Sequence, residues 1–198
     1  FVFPANLTNI STSKGVLSGC KKLTKITFPV AYCDISHSES FLTNSTFVNG
    51  LELPYTLNFT PMVSVDKQTG VEEIKQNEIL KGSHVVGNLN IKAATTNKCV
   101  VYVNKETTSL IIYPATVQGR FYLMGKGIDG DLSGLQSIQI GRSTNINDTD
   151  GFASNTSANI NLSLDFQSGN CTTKIPKNAF NGYSGNTINV VIYGNVTD

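Results

Sequence analysis

The sequence predicts an all-β fold: an antiparallel β-sandwich with Greek-key connections and little helix. Three observations predict it. Short runs in which apolar and polar residues alternate recur along the chain at roughly 8 to 20 residue spacing. Asn, Ser, Thr and Gly dominate the polar residues while charged residues make up only 15% and Trp is absent, the usage of an exposed sheet surface. One segment alone carries a helical pattern. With 198 residues the chain has the length for one large β-domain with its own core, residues 1–198, and no linker or internal repeat divides it.

In order, residues 1–19 scatter Phe1, Val2, Phe3, Leu7 and Ile10 among polar residues and make at best a weak edge strand. Lys22 to Tyr32 alternates Ile26, Phe28, Val30 and Tyr32 with Lys25, Thr27, Pro29 and Ala31, and Pro29, which cannot donate to a ladder, places that strand at an edge or bulge. Leu51, Leu53, Tyr55, Leu57 and Phe59 alternate next. Val71 to Leu80, with four charged residues around Ile74, Ile79 and Leu80, is the predicted helix, two turns at most. Val85 to Ile91 and Cys99 to Val103 read as strands, as do Leu110 to Tyr113 and Val117 to Met124. Gly125 to Gly134 is predicted as a loop, Leu135 to Ile140 as a strand, and Gly141 to Ser157 as a polar loop.

The last forty residues give the clearest signal. Ala158, Ile160, Leu162, Leu164 and Phe166 alternate strictly with Asn159, Asn161, Ser163 and Asp165, the period of a strand with one buried face. In Thr187 to Val196, Ile188, Val190 and Ile192 share one face while Val191 and Tyr193 occupy the other. Such a strand needs cover on both sides, inside a sandwich or at a seam that another segment completes.

Composition narrows function. A net charge of +1 offers no basic field for nucleic acid, and no apolar run approaches the ~18 residues of a membrane span. Cys20, Cys33, Cys99 and Cys171 lack C-x-x-C spacing and have neither His37 nor His84 beside them, which argues against zinc. An even cysteine count instead predicts two disulfides and an oxidising compartment. Of three connectivities, Cys20–Cys33 and Cys99–Cys171 are favoured; in the chain-entropy model they contribute roughly 3 and 4 kcal/mol. The start at Phe1 fits a mature terminus left by a removed secretory signal.

No catalytic template fits. Gly130-Asp131-Leu132-Ser133-Gly134 has the spacing G-x-x-S-G, which is not a nucleophile elbow. Asp129-Gly130-Asp131 and Asn145 to Gly151 gather hard oxygens, but an EF-hand register puts Ile146 at the first ligand position and lacks its closing Glu, so turn formation is the reading preferred. No metal and no cofactor are expected. Glycan binding asks for short polar side chains beside an aromatic face. Arg142, Asn145, Asn147, Asp148 and Asp150 next to Phe152 supply that mixture, and Arg120 with Tyr122 supplies a second. Asn6, Asn9, Asn44, Asn58, Asn147, Asn155, Asn161, Asn170 and Asn195 each begin an N-x-S/T triplet, against about four expected by chance.

Ile175-Pro176-Lys177-Asn178-Ala179-Phe180-Asn181-Gly182-Tyr183-Ser184-Gly185, followed by the strand Asn186 to Val196, resembles the closing segment of bacterial chaperone–usher pilins and fimbrial adhesins. The ending Ile188 to Asp198 is also similar to the end of the receptor-binding domain of fimbrial tip adhesins. The resemblance implies an immunoglobulin-like sandwich, folding in the periplasm, and partners among a periplasmic chaperone, an usher and neighbouring fimbrial subunits. Residues 1–15 alternate poorly for a donor strand, which favours a tip adhesin over a shaft subunit. The expectation is a non-enzymatic domain at the cell surface, on a fimbrial tip, that binds a host glycan or glycoprotein receptor. A structural subunit polymerising by donor-strand exchange, or the outer domain of a viral glycoprotein, is the alternative.

Overall fold

The computed structural model describes residues 1–10, 17–24, 26–28, 33–35, 42–60, 62–75, 77–95, 98–114, 120–165 and 174–194. Their strands are β1 (Asn9–Ile10), β2 (Cys33–Ile35), β3 (Thr46–Phe47), β4 (Leu51–Leu53), β5 (Leu57–Phe59), β6 (Met62–Val65), β7 (Glu72–Lys75), β8 (Asn77–Ile79) and β9 (His84–Val85). They continue as β10 (Gly87–Ile91), β11 (Ala94–Thr95), β12 (Lys98–Val103), β13 (Thr107–Ile112), β14 (Phe121–Gly130), β15 (Ser137–Ile140), β16 (Thr144–Thr149), β17 (Asn159–Asp165) and β18 (Ile188–Tyr193). A 3-10 turn, Leu132–Gly134, is the one helical element among the described residues. The chain is all-β.

The strand direction differs from the expectation. A first sheet runs β4, β10, β13, β15, β17, β18, and every neighbouring pair in it is parallel. A second, β8, β12, β14, β16, and a third, β1, β2, β5, β11, are parallel as well. Among the described strands, only the hairpin of β6 and β7 forms an antiparallel ladder. The chain visits the sheets in rotation: β4, β5 and β8 lie in the first, third and second, and β10, β11 and β12 repeat that circuit. This is a parallel β-solenoid, each turn stacked on the one before. The antiparallel, Greek-key, immunoglobulin-like sandwich is not the architecture observed. Alternation reports a buried face and is blind to strand direction. Parallel neighbours need a long crossover, and here the remainder of each turn supplies it.

Register explains why the columns hold. Leu51, Leu89, Leu110, Ile138, Ile160 and Ile188 are successive partners across the first sheet, and Leu53, Ile91, Ile112, Ile140, Leu162 and Val190 form the next column. From Leu89 to Ile160 in the first column and from Leu53 to Leu162 in the second, these side chains are fully buried or nearly so. At ~1.5–3 kcal/mol for each such side chain taken out of water, the two columns are a principal source of stability. Outward from them run Glu52, Asn90, Ile111, Gln139, Asn161 and Asn189. Asn189 donates to Asn161 Oδ1 at 2.9 Å and Asn90 donates to Glu52 at 3.1 Å, so the polar ladder also ties neighbouring turns together.

Other expectations are corrected. The predicted helix 71–80 is β7 and β8, because Ile74 pairs across to Val63 and Ile79 to Val101, where the ladders outweigh a short helix's propensity. The loop predicted over 125–134 is strand as far as Gly130, and the polar loop 141–157 contains β16. Cys20 and Cys99 are free thiols, so neither expected bridge is formed, and Cys171 and Pro29 lie outside the described residues. The reason is placement: Cys33 faces Leu57 in the third sheet and Cys99 faces Leu123 in the second, both fully buried, while Cys20 sits in a half-exposed turn. The Cys99 Sγ donates to the Tyr122 carbonyl at 3.2 Å. Finally, the described residues give β18 no double cover: it pairs with β17 on one side, and Val190, Val191, Ile192 and Tyr193 are all exposed among them.

Candidate ligand-binding cleft

The residues expected to bind a glycan do not converge. Phe152 is fully buried in the core and offers no aromatic platform. Asn145 is buried and its Oδ1 accepts the Asn147 N–H at 2.9 Å, an Asx turn. Asn147 in turn accepts from the Lys174 N–H at 3.3 Å. Asp148 forms an ion pair with Lys98 at 3.0 Å on the outside of the second sheet, where Tyr122 lies half-buried between their strands. Asp150 accepts from Asn178 Nδ2 at 3.2 Å. Arg142 Nε meets the buried Asp165 carboxylate at 2.5 Å, and its guanidinium lies over the Tyr193 ring at 4.6 Å. Arg120 makes an antiparallel bridge to Thr95. These side chains fasten strands and turns to one another.

A cleft of about 370 Å³ opens beside them, lined by Lys126, Asp129, Asp131, Leu132, Ser133, Ser154 and Asn155 among others. It follows from the shape of β14. Cys99 pairs with Leu123 but Val101 pairs with Ile128, so β14 carries extra residues, Met124 to Gly127, against a single residue of β12. Gly125, Gly127 and Gly130 have positive φ, which lets the strand bulge outward and then return. Gly130 is also closely packed, since a Cβ there would meet the Val103 carbonyl oxygen. The 3-10 turn then brings Leu132 and Ser133 round to face the turn after β16, which contributes Ser154 and Asn155.

The carboxylates here are held in place rather than pooled for a cation. Asp129 Oδ1 accepts from Lys126 Nζ at 3.1 Å and from the Gly130 N–H at 2.9 Å. Asp131 Oδ1 accepts from the Ser133 hydroxyl at 2.5 Å and from its N–H at 3.1 Å. Those two bonds hold the Asp131 carboxyl below its ordinary value of 3.8. No group of three or more His, Cys, Asp or Glu side chains among the described residues is arranged to hold a metal. Each carboxylate keeps a second oxygen for a ligand hydroxyl, Lys126 and Asn155 add donors, and Leu132 gives a small apolar wall. Asn155 is itself positioned by Gly182, over which its amide packs so closely that a Cβ would collide with it.

Sequence reasoning weighed Asp129 and Asp131 only as cation ligands and missed Lys126, Ser133, Ser154 and Asn155 as neighbours. The signal was the glycine spacing at 125, 127 and 130, which marks a bulged strand as readily as a loop. No protein-family model matches this chain, and no curated protein or solved structure matches it significantly.

Proposed function

We propose that this domain is a non-catalytic, surface-displayed adhesin module that binds a host glycan in the cleft between Lys126–Ser133 and Ser154–Asn155. The observation that carries the reading is the cleft itself: about 370 Å³, open, and rimmed by two fixed carboxylates, a lysine, hydroxyls and an amide. Vicinal sugar hydroxyls donate to carboxylates and accept from ammonium and amide groups, and pre-set side chains reduce the ordering cost of binding. The glycan-binding part of the reading rests on this chemistry, while surface display and a host receptor are carried over from the fimbrial resemblance, whose implied sandwich is not the architecture observed. Binding without turnover fits carboxylates already engaged as acceptors in the cleft wall, Asp129 from Lys126 and Asp131 from Ser133. His84, a described histidine, is paired with Glu106 at 3.3 Å, outside the cleft lining.

A glycan array tests this directly. The wild type should give a selective signal that falls tenfold or more in Asp129→Ala and in Asp131→Ala but survives in Asp148→Ala, whose ion pair lies outside the cleft. Because Asp131 is held below 3.8, it stays charged on mild acidification, and the part of the signal lost in Asp131→Ala should be the same at about pH 7 and about pH 5. Silence across the array, or a signal indifferent to both cleft carboxylates, contradicts the proposal.

A further inference from the structure

We propose that the cleft selects a short, uncharged sugar epitope and rejects uronic and sialic acids. The inference rests on the glycan reading above and names the class of ligand within it. Three side chains of the lining are ionisable, Lys126, Asp129 and Asp131, so the cleft holds one more carboxylate than ammonium. Lys126 is already committed: its Nζ lies 3.1 Å from Asp129 Oδ1, and 69% of the side chain is in solvent. Asp131 has no cation of its own in the lining. Both bonds that its Oδ1 accepts come from Ser133, a neutral hydroxyl and a peptide N–H. Lys105 lies outside the lining and is the weakest influence on Asp131, behind both Ser133 bonds and desolvation. The other polar side chains of the cleft, Ser133, Ser154 and Asn155, are neutral.

Ligand preference follows from that imbalance. A sugar carboxylate entering the cleft meets the Asp131 charge, and the lining's one ammonium is shared with Asp129. Like charges brought together in a partly desolvated site repel, and the unpaired carboxylate discriminates against the anion. A hydroxymethyl group in the same place donates to that carboxylate instead. Size sharpens the choice. The cleft's 370 Å³, on the order of a dozen waters, takes about one or two pyranose rings, so the charge on a single sugar decides.

The test presents matched probes on one linker: a hexoside, its hexuronate, and the hexuronamide, which keeps the planar C6 group of the hexuronate without its charge. Sialylated and desialylated forms of one glycan accompany them. The hexuronate should bind roughly tenfold more weakly than the hexoside, and the hexuronamide should recover most of that loss. Asp131→Asn keeps an oxygen for both Ser133 donors but removes the charge, and should narrow the hexoside-to-hexuronate gap by about threefold or more. A hexuronate or sialylated glycan that binds as well as its neutral partner, with a signal lost in Lys126→Ala, overturns the inference and leaves the glycan reading standing. A gap unchanged in Asp131→Asn overturns it as well. Silence from every probe, or signals indifferent to all the cleft side chains, overturns the glycan reading and this inference with it.

Discussion

The thiol of Cys99 shows how much one position decides. Its Sγ lies inside the solenoid against the Tyr122 carbonyl, and burial pushes the thiol well above its ordinary range, so the reactive thiolate is scarce. Cys20 is half-exposed in a turn. In native protein at about pH 8, Cys99 should resist a disulfide reagent until the chain unfolds, while Cys20 reacts at once; mass spectrometry of the labelled peptides checks this. Rapid labelling of Cys99 in folded protein would contradict its placement. Two further residues show what composition conceals. Asn58 begins a sequon but is buried on β5, whereas Asn44, on an exposed turn, is accessible. Arg142 looked like a ligand residue because it is a cation in an Asn-rich stretch; it is instead the counterion of buried Asp165, a pairing between residues 23 apart that no local pattern reveals.

Between residue and molecule stands a turn that recurs. Leu17-Ser18-Gly19-Cys20, Leu42-Thr43-Asn44-Ser45 and Leu80-Lys81-Gly82-Ser83 share a positive φ at their first and third positions. They stack. The Gly19 N–H donates to the Asn44 carbonyl, the Ser45 hydroxyl donates to the Leu17 carbonyl at 2.7 Å, and the Ser83 hydroxyl donates to the Leu42 carbonyl. The Ser45 N–H in turn donates to Ser83 Oγ at 3.2 Å. Ala153-Ser154-Asn155-Thr156 and Phe180-Asn181-Gly182-Tyr183 form a second stack, with the Asn155 N–H donating to the Asn181 carbonyl, and so connect the cleft wall to the solenoid's corner. A leucine followed two residues later by Gly or Asn and then by Ser or Cys was a legible repeat, hidden by its uneven spacing. Ser83→Ala removes one hydroxyl that serves two buried partners, Leu42 O and Ser45 N, and should cost about 1–3 kcal/mol in urea unfolding. Ser18→Ala, at an exposed turn position, should cost little, and equal effects would argue against the hydroxyl ladder.

At the scale of the molecule, strand positions were largely legible and their arrangement was not. Alternation located β4, β5, β10 and β17, because a half-buried strand carries period two whatever its neighbours, and short apolar runs located β12, β13, β15 and β18. Topology escaped because the stacked residues 51, 89, 110, 138, 160 and 188 lie at unequal sequence distances, the longest of them containing the β6–β7 hairpin. The aliphatics of β18 were read as needing cover, and among the described residues that demand is unmet at this end of the first sheet. The cleft depends on the same winding, since β14 lies between β12 and β16 and its register shifts against both.

Parallel winding is the claim on which cleft, turn stacks and open edge all depend, and methyl NOEs in a specifically labelled sample test it most directly. Parallel pairing of β15 with β17 predicts contacts between Ile138 and Ile160 and between Ile140 and Leu162. An antiparallel sandwich in the same strands would instead join Ile138 to Leu162 and Ile140 to Ile160, and that crossed pattern would contradict the account.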